Sequence, residues 1–234
     1  MIQCWRQLNT TLSTVIPRSC NERAEHARRQ GWKIDQPNQY CQCCGTTVAP
    51  GTWGNNQCSR CTGKSIAWQR IVRLSAYDEP VSDWIVAMKF FGDWTWSRWF
   101  GRKLAEQTDT RDFSNHTITC PVPMHILRRT HRGFNQSQLM ATAFAAKNKW
   151  PMVNLLRRRR YTHPQTSIST RKRFENVQDS FQGKRIDLRG WTVWLIDDVK
   201  TTGATLTMCT RELRRIGASR VCVAVASVGE LINR

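Results

Sequence analysis

The spacing of apolar and polar positions changes several times along this chain. Val81, Trp84, Ile85, Met88 and Phe91 fall three and four apart, which predicts an amphipathic helix over 81–91. Thr117–Cys120 reads as a strand ending at Pro121, and Gln136–Ala146 as a second helix. Trp191–Asp197 is a strand-length apolar run. Thr202–Ile216 then sets Leu206, Cys209, Leu213 and Ile216 on one helical face, with Gly217 as the stop. Arg220–Ser227 is the next apolar strand. Strand, helix and strand in that order predict a βαβ unit, hence an α/β fold with a parallel sheet. Trp94, Trp96 and Trp99 are expected in the core, packing against the cysteine-rich segment that precedes them, in preference to stacking on nucleic-acid bases. A short helix is expected within residues 24–30 of an otherwise aperiodic start. Three parts follow: a basic segment 1–38, a small metal-held segment 39–64 and the main domain 65–234.

Residues 39–64 carry no apolar period that could form a core. They carry Cys41 and Cys44, spaced C-x2-C, and the same spacing again at Cys58 and Cys61 after thirteen residues. Two such turns bring four thiolates into a tetrahedral set that suits a structural Zn²⁺ with no open position. Gly45 and Gly63 suit the tight turns around it. Cys43 lies inside the first pair and is a competing ligand. If all five were free thiols, the segment would have nothing to hold it together. The ten cysteines are not read as a disulfide framework, because nothing in Met1–Cys20 resembles the apolar run of a secretory signal. Cytoplasmic location is therefore expected. No apolar run is long enough to span a membrane.

Charge narrows the partners. The formal net charge is +19, and from Asp112 to Glu175 no acid intervenes, while twelve Lys or Arg and four of the five histidines do. Such a surplus favours an anionic partner: nucleic acid, a phosphorylated small molecule or an acidic lipid face. A solvated basic surface is the alternative, and Arg157–Arg160 alone suits a solvated helix face equally well.

The sharpest chemistry lies at 193–205. An apolar strand runs into Asp197 and Asp198, then into Thr201, Thr202, Gly203, Ala204 and Thr205, where a helix begins. The first turn of a helix offers unpaired N–H groups and a positive dipole end. Gly203 allows close backbone approach, and three threonine hydroxyls add neutral donors. That is a cup for one phosphate. The two acids would repel the phosphate, so they suit sugar hydroxyls or a bound Mg²⁺. Ribose 5-phosphate meets both demands. An ordinary capped helix is the competing explanation, but it gives the two acids no task.

The run IDDVKTTGAT resembles the phosphoribosyl pyrophosphate (PRPP) signature of type I phosphoribosyltransferases. That resemblance implies a parallel sheet of phosphoribosyltransferase type flanked by helices. It also implies that Asp197 and Asp198 hold the ribose and that Thr201, Thr202, Gly203, Ala204 and Thr205 hold the 5-phosphate, with Mg²⁺ accompanying PRPP. Pro121–His125 with Arg128, Arg129, Arg132, Gly133, Phe134, Asn135 and Gln136, the later Thr162, Gln165, Arg173, Asn176, Val177 and Phe181, the Met88–Phe90 stretch and the cysteine pairs together resemble competence proteins of the ComF/GntX type. This broader resemblance covers residues 41–228. It implies a role in DNA uptake, with single-stranded DNA and proteins of the uptake machinery as partners. It also implies that a loop carrying Arg128, Arg129 and Arg132 receives pyrophosphate, Arg132 foremost. Arg157–Arg173 is expected as a flap over the site or a nucleic-acid track. An active transferase that displaces pyrophosphate from PRPP is the alternative function, and no acceptor is readable.

Overall fold

A computed structural model describes residues 19–49, 57–111, 113, 116–159 and 180–229. They fall into two units, Met1–Lys33 and Ile34–Arg234. In the first, Cys20–Arg29 forms helix α1. Ser19 caps it reciprocally: its hydroxyl accepts the Glu22 N–H at 3.3 Å, and its own N–H donates to the Glu22 carboxylate at 2.7 Å.

The second unit is built on β1 (Ile71–Ala76), β2 (Thr117–Pro121), β5 (Thr192–Lys200) and β6 (Arg220–Val228). They form one parallel sheet in the order β1-β6-β5-β2. Its strands are buried almost end to end, as expected of a parallel sheet with both faces covered. Helices α2 (Val81–Phe90), α3 (Thr95–Glu106), α4 (Ile126–Arg132), α5 (Gln136–Asn148) and α6 (Ala204–Arg215) accompany it. The expected parallel α/β fold is therefore present, and so is the β5-α6-β6 unit. A separate antiparallel pair joins β3 (Leu156–Arg158) to β4 (Phe181–Gly183).

Four expectations need correction. Strand β5 does not stop at Asp197, because β6 keeps pairing with it as far as Lys200 opposite Val228. Arg128, Arg129 and Arg132 lie on helix α4, not on a loop; Arg129 N–H bonds to His125 O at 3.0 Å, and Gly133, at φ +82°, ends the helix. Of the three tryptophans expected in the core, Trp96 and Trp99 are there, Trp96 stacked on Trp84 of α2 at 4.3 Å and Trp99 edge-on to both, but Trp94 is 44% exposed. Arg157 and Arg158 belong to β3, not to a helix face. The rest of the expected flap, from residue 160, and the motif residues from Thr162 to Val177 lie outside the described residues.

Helices α3 and α5 approach closely at Gly101. A Cβ there would sit 2.3 Å from the Met140 carbonyl oxygen, which belongs to backbone and cannot swing away. Gly101→Val is expected to destabilise the domain by about 3 kcal/mol through overpacking. Urea unfolding checks this, and an unchanged midpoint would show that the helices separate freely.

Candidate functional site

Two sites emerge in the second unit. In the first, the sulfurs of Cys41, Cys44, Cys58 and Cys61 all lie within 4.8 Å of one another. Cys41–Cys61, Cys44–Cys58 and Cys58–Cys61 are separated by 3.8, 3.7 and 3.8 Å. Four sulfurs about 2.3 Å from a tetrahedral metal would be spaced about 3.8 Å apart. The donor set therefore fits a metal ion. Electrostatics points the same way. Burial, then the neighbouring Cys44, pushes the Cys58 and Cys61 thiols up. Thiolates gathered here need a cation. Cys43 stands outside this set.

The cysteine turns are tied to the sheet. Gly45, at φ +80°, leaves no room for a Cβ against Val228 and Ile71. Arg73, fully buried on β1, donates to Gly45 O at 2.6 Å and to the Thr47 hydroxyl at 2.8 Å, and pairs with Asp35 at 2.7 Å. Trp68 donates its indole N–H to Cys43 O at 2.8 Å. The far edge of the same ring bounds Gly203, where a Cβ would lie 3.2 Å away.

Gly203 belongs to the second site, at the carboxyl ends of the parallel strands, where open α/β sheets place their ligands. Its φ of +81° turns β5 into α6, and as the N-cap residue it has no side chain with which to cap the helix. Thr202 Oγ1 accepts the Ala204 N–H at 3.3 Å. Thr201 is exposed, Thr202 and Thr205 are partly so, and Gly203 and Ala204 are buried.

The two acids sit just before this turn, both buried. Asp197 Oδ1 accepts from the Ser137 hydroxyl at 2.8 Å and from the Asp198 N–H at 3.0 Å. Asp198 Oδ1 accepts the Val199 N–H at 2.8 Å. Its Oδ2 accepts from the Gln136 amide at 3.1 Å and pairs with Lys89 at 2.9 Å. Burial and the adjacent Asp198 charge push Asp197 up to about 7. Burial also acts against ionised Asp198, but the charge and hydrogen bond of Lys89, with the Val199 and Gln136 donors, bring it below the usual range. One carboxylate is thus fixed as an anion, and the other changes charge near neutrality.

Lys89, Gln136 and Ser137 are the residues that the reading of 193–205 overlooked as partners of the acids. Gln136 and Lys89 did lie in stretches that carried the family resemblance. Of the arginines, Arg132 reaches the site indirectly: it donates to Gln136 Oε1 at 2.9 Å, and Gln136 holds Asp198. Arg129 is exposed on α4. The Arg128 side chain lies outside the described residues.

No family model matches the chain. Over 191 residues it is 30% identical to the DNA utilization protein YhgH of Escherichia coli (strain K12), covering 78% of this chain and 81% of that one. Over 195 residues it is 27% identical to competence protein F of Haemophilus influenzae, covering 79% and 82%. Competence protein ComFC of Bacillus subtilis is 27% identical over 143 residues, covering 60% and 56%. Among solved structures, the glutamine PRPP amidotransferase of B. subtilis aligns with TM-score 0.38 and 21% identity over 55% of this chain and 25% of that one. A purine phosphoribosyltransferase from Pyrococcus horikoshii aligns with TM-score 0.36 and 18% identity over 57% and 73%.

Proposed function

This chain belongs to the family of competence protein F and the DNA utilization protein YhgH, and from that premise we propose that it binds a ribose 5-phosphate or PRPP-type ligand and single-stranded DNA. The observation that carries the ligand is the passage of β5 through two buried carboxylates into a helix whose N-cap residue is a glycine, with no capping side chain of its own. The Thr201–Thr205 turn takes the phosphate through backbone N–H groups, threonine hydroxyls and the helix dipole. Asp197 takes the ribose hydroxyls, since its Oδ2 accepts from no group among the described residues. Asp198, already paired with Lys89, holds that arrangement in place. Mg²⁺ would accompany the diphosphate of PRPP. Arg132 and Arg129 face a diphosphate from α4, where paired guanidinium donors suit its oxygens. Displacement of that diphosphate would build positive charge beside the acids and negative charge beside the arginines, as an active transferase requires.

Cys41, Cys44, Cys58 and Cys61 hold one structural Zn²⁺. The thiolate set and its spacing support zinc over a harder cation. The metal ties down a segment without a core of its own.

Calorimetry tests the sugar-phosphate site. Ribose 5-phosphate is expected to bind the wild type, and Asp197→Asn with Asp198→Asn together is expected to weaken it at least tenfold. Equal affinity in the double variant would remove the acids from the sugar.

A further inference from the structure

Three large rings stand in water within five residues, at the corner between α2 and α3. Phe90 is 72% exposed, Phe91 68% and Trp94 44%. The domain buries Trp84, Trp96, Trp99 and Phe100 immediately beside them, so the corner is not simply rich in rings that have nowhere to go. Three exposed rings this close together in the chain mark a candidate contact site.

The company of these rings identifies the partner. The Arg132 guanidinium lies over Phe90 at 5.9 Å, and that of Arg98 over Trp94 at 4.9 Å. Arg102 and Arg129 are exposed on α3 and α4. Asp93, the acid inside the stretch, is held by the Thr95 hydroxyl. Lys103 pairs with Glu106 on the same helix. An apolar protein partner would have to bury the exposed guanidinium groups of Arg98, Arg102 and Arg129 without compensation. A nucleic acid supplies both complements at once: bases for the rings and phosphates for the arginines. A duplex hides its base faces, so the fit is to a single strand.

We propose that Phe90, Phe91 and Trp94, flanked by Arg98 and Arg132, form the base-stacking platform on which single-stranded DNA lies. This rests on the DNA-binding half of the function proposed above and gives it a place. The platform adjoins the sugar-phosphate site: Lys89, next to Phe90 in the chain, contacts Asp198, and Arg132 contacts both Phe90 and the Gln136 that holds Asp198. A strand with one sugar-phosphate unit at the Thr201–Thr205 turn can therefore continue onto the rings.

Anisotropy with an end-labelled oligothymidylate, followed across a salt series, tests the proposal. Phe90→Ala with Phe91→Ala, both well exposed, is expected to weaken binding about tenfold, and adding Trp94→Ala to weaken it further. The slope of log affinity against log salt is expected to stay as in the wild type, because no phosphate contact is lost. Arg98→Ala with Arg132→Ala is expected to flatten that slope, by roughly 0.7 for each phosphate contact removed. Zinc content and ribose 5-phosphate affinity serve as controls for the ring variants, and both are expected to be unchanged. Unaltered DNA affinity in the triple ring variant would overturn the platform. So would a wild type that binds no oligothymidylate, although the sugar-phosphate site would stand if ribose 5-phosphate still bound. Self-association abolished by Phe90→Ala with Phe91→Ala, without loss of DNA binding, would assign the surface to a second copy of the chain.

Discussion

Lys89→Met is expected to cost the folded domain about 3 kcal/mol at pH 8 and much less at pH 5. Lys89 is mostly buried and lies 2.9 Å from Asp198, whose side chain is only 7% exposed. Removing one partner of a buried pair leaves the other charge without compensation, and this costs about 3–5 kcal/mol. In the variant, Asp198 escapes by keeping its proton, so its folded pKa moves from below the usual value to above it. A carboxyl raised in the folded state binds more protons folded than unfolded, so stability falls as pH rises between the two pKa values. The deficit is therefore smallest at acid pH, at and below the unfolded carboxyl value near 4, and grows through neutrality.

The wild type already contains one such group. Asp197, pushed up to about 7, makes stability decline as pH rises from about 4 to about 7. Asp198 acts oppositely: its lowered pKa contributes stability above the unfolded value near 4, and this is lost as pH falls through the folded one. Lys89→Met is expected to convert Asp198 from the second behaviour to the first and so steepen the decline. Urea unfolding of both proteins at several pH values measures this. A deficit equal at pH 5 and pH 8 would mean that Lys89 supports the domain through its packed carbon chain and not through Asp198.

That contact also marks where the sequence stops being readable. The β5-α6-β6 unit was legible because the apolar run, the Thr-Gly turn and the Leu206-Cys209-Leu213 face are local patterns. The cysteine set was legible because its spacing is itself the geometry. Lys89, Gln136 and Ser137 lie on helices, 60 to 109 positions away from Asp197 and Asp198 in the chain, and only docking at the carboxyl edge of the sheet brings them there. Nothing local to Lys89 distinguishes it from a solvated lysine ending a helix. The arginine stretch misled for a related reason. Pro123 and Gly133 look like loop punctuation, but they bracket a helix of two turns. Strands β3 and β4 are three residues each, too short for alternation to register. The tryptophans divide by phase: Trp96 and Trp99 share the inner face of α3, whereas Trp94 precedes its first turn and misses that face.

Loss of zinc is expected to reach beyond the segment that holds it. Cys61→Ser is expected to leave the purified protein with less than a tenth of an equivalent of zinc, where the wild type is expected to carry one. Metal-binding energy is folding energy for a segment of this kind, so residues 39–64 should become sensitive to protease. The consequence then passes inward by two routes. Arg73 is 1% exposed and depends on Gly45 O and the Thr47 hydroxyl. A buried guanidinium left short of acceptors costs about 1–3 kcal/mol, so the whole domain should unfold at lower urea. Trp68, meanwhile, is positioned by Cys43 O at one edge and borders Gly203 at the other. Once Cys43 moves, the ring is no longer pinned beside the turn proposed to hold phosphate. Ribose 5-phosphate affinity is expected to fall several-fold, and Trp68→Phe, which keeps the ring but lacks the indole N–H, should reproduce part of that fall with zinc still bound. A full equivalent of zinc in Cys61→Ser would remove Cys61 from the ligand set. Zinc loss with urea unfolding and sugar-phosphate affinity unchanged would make the cysteine segment an independent appendage, which the contacts of Arg73 and Trp68 argue against.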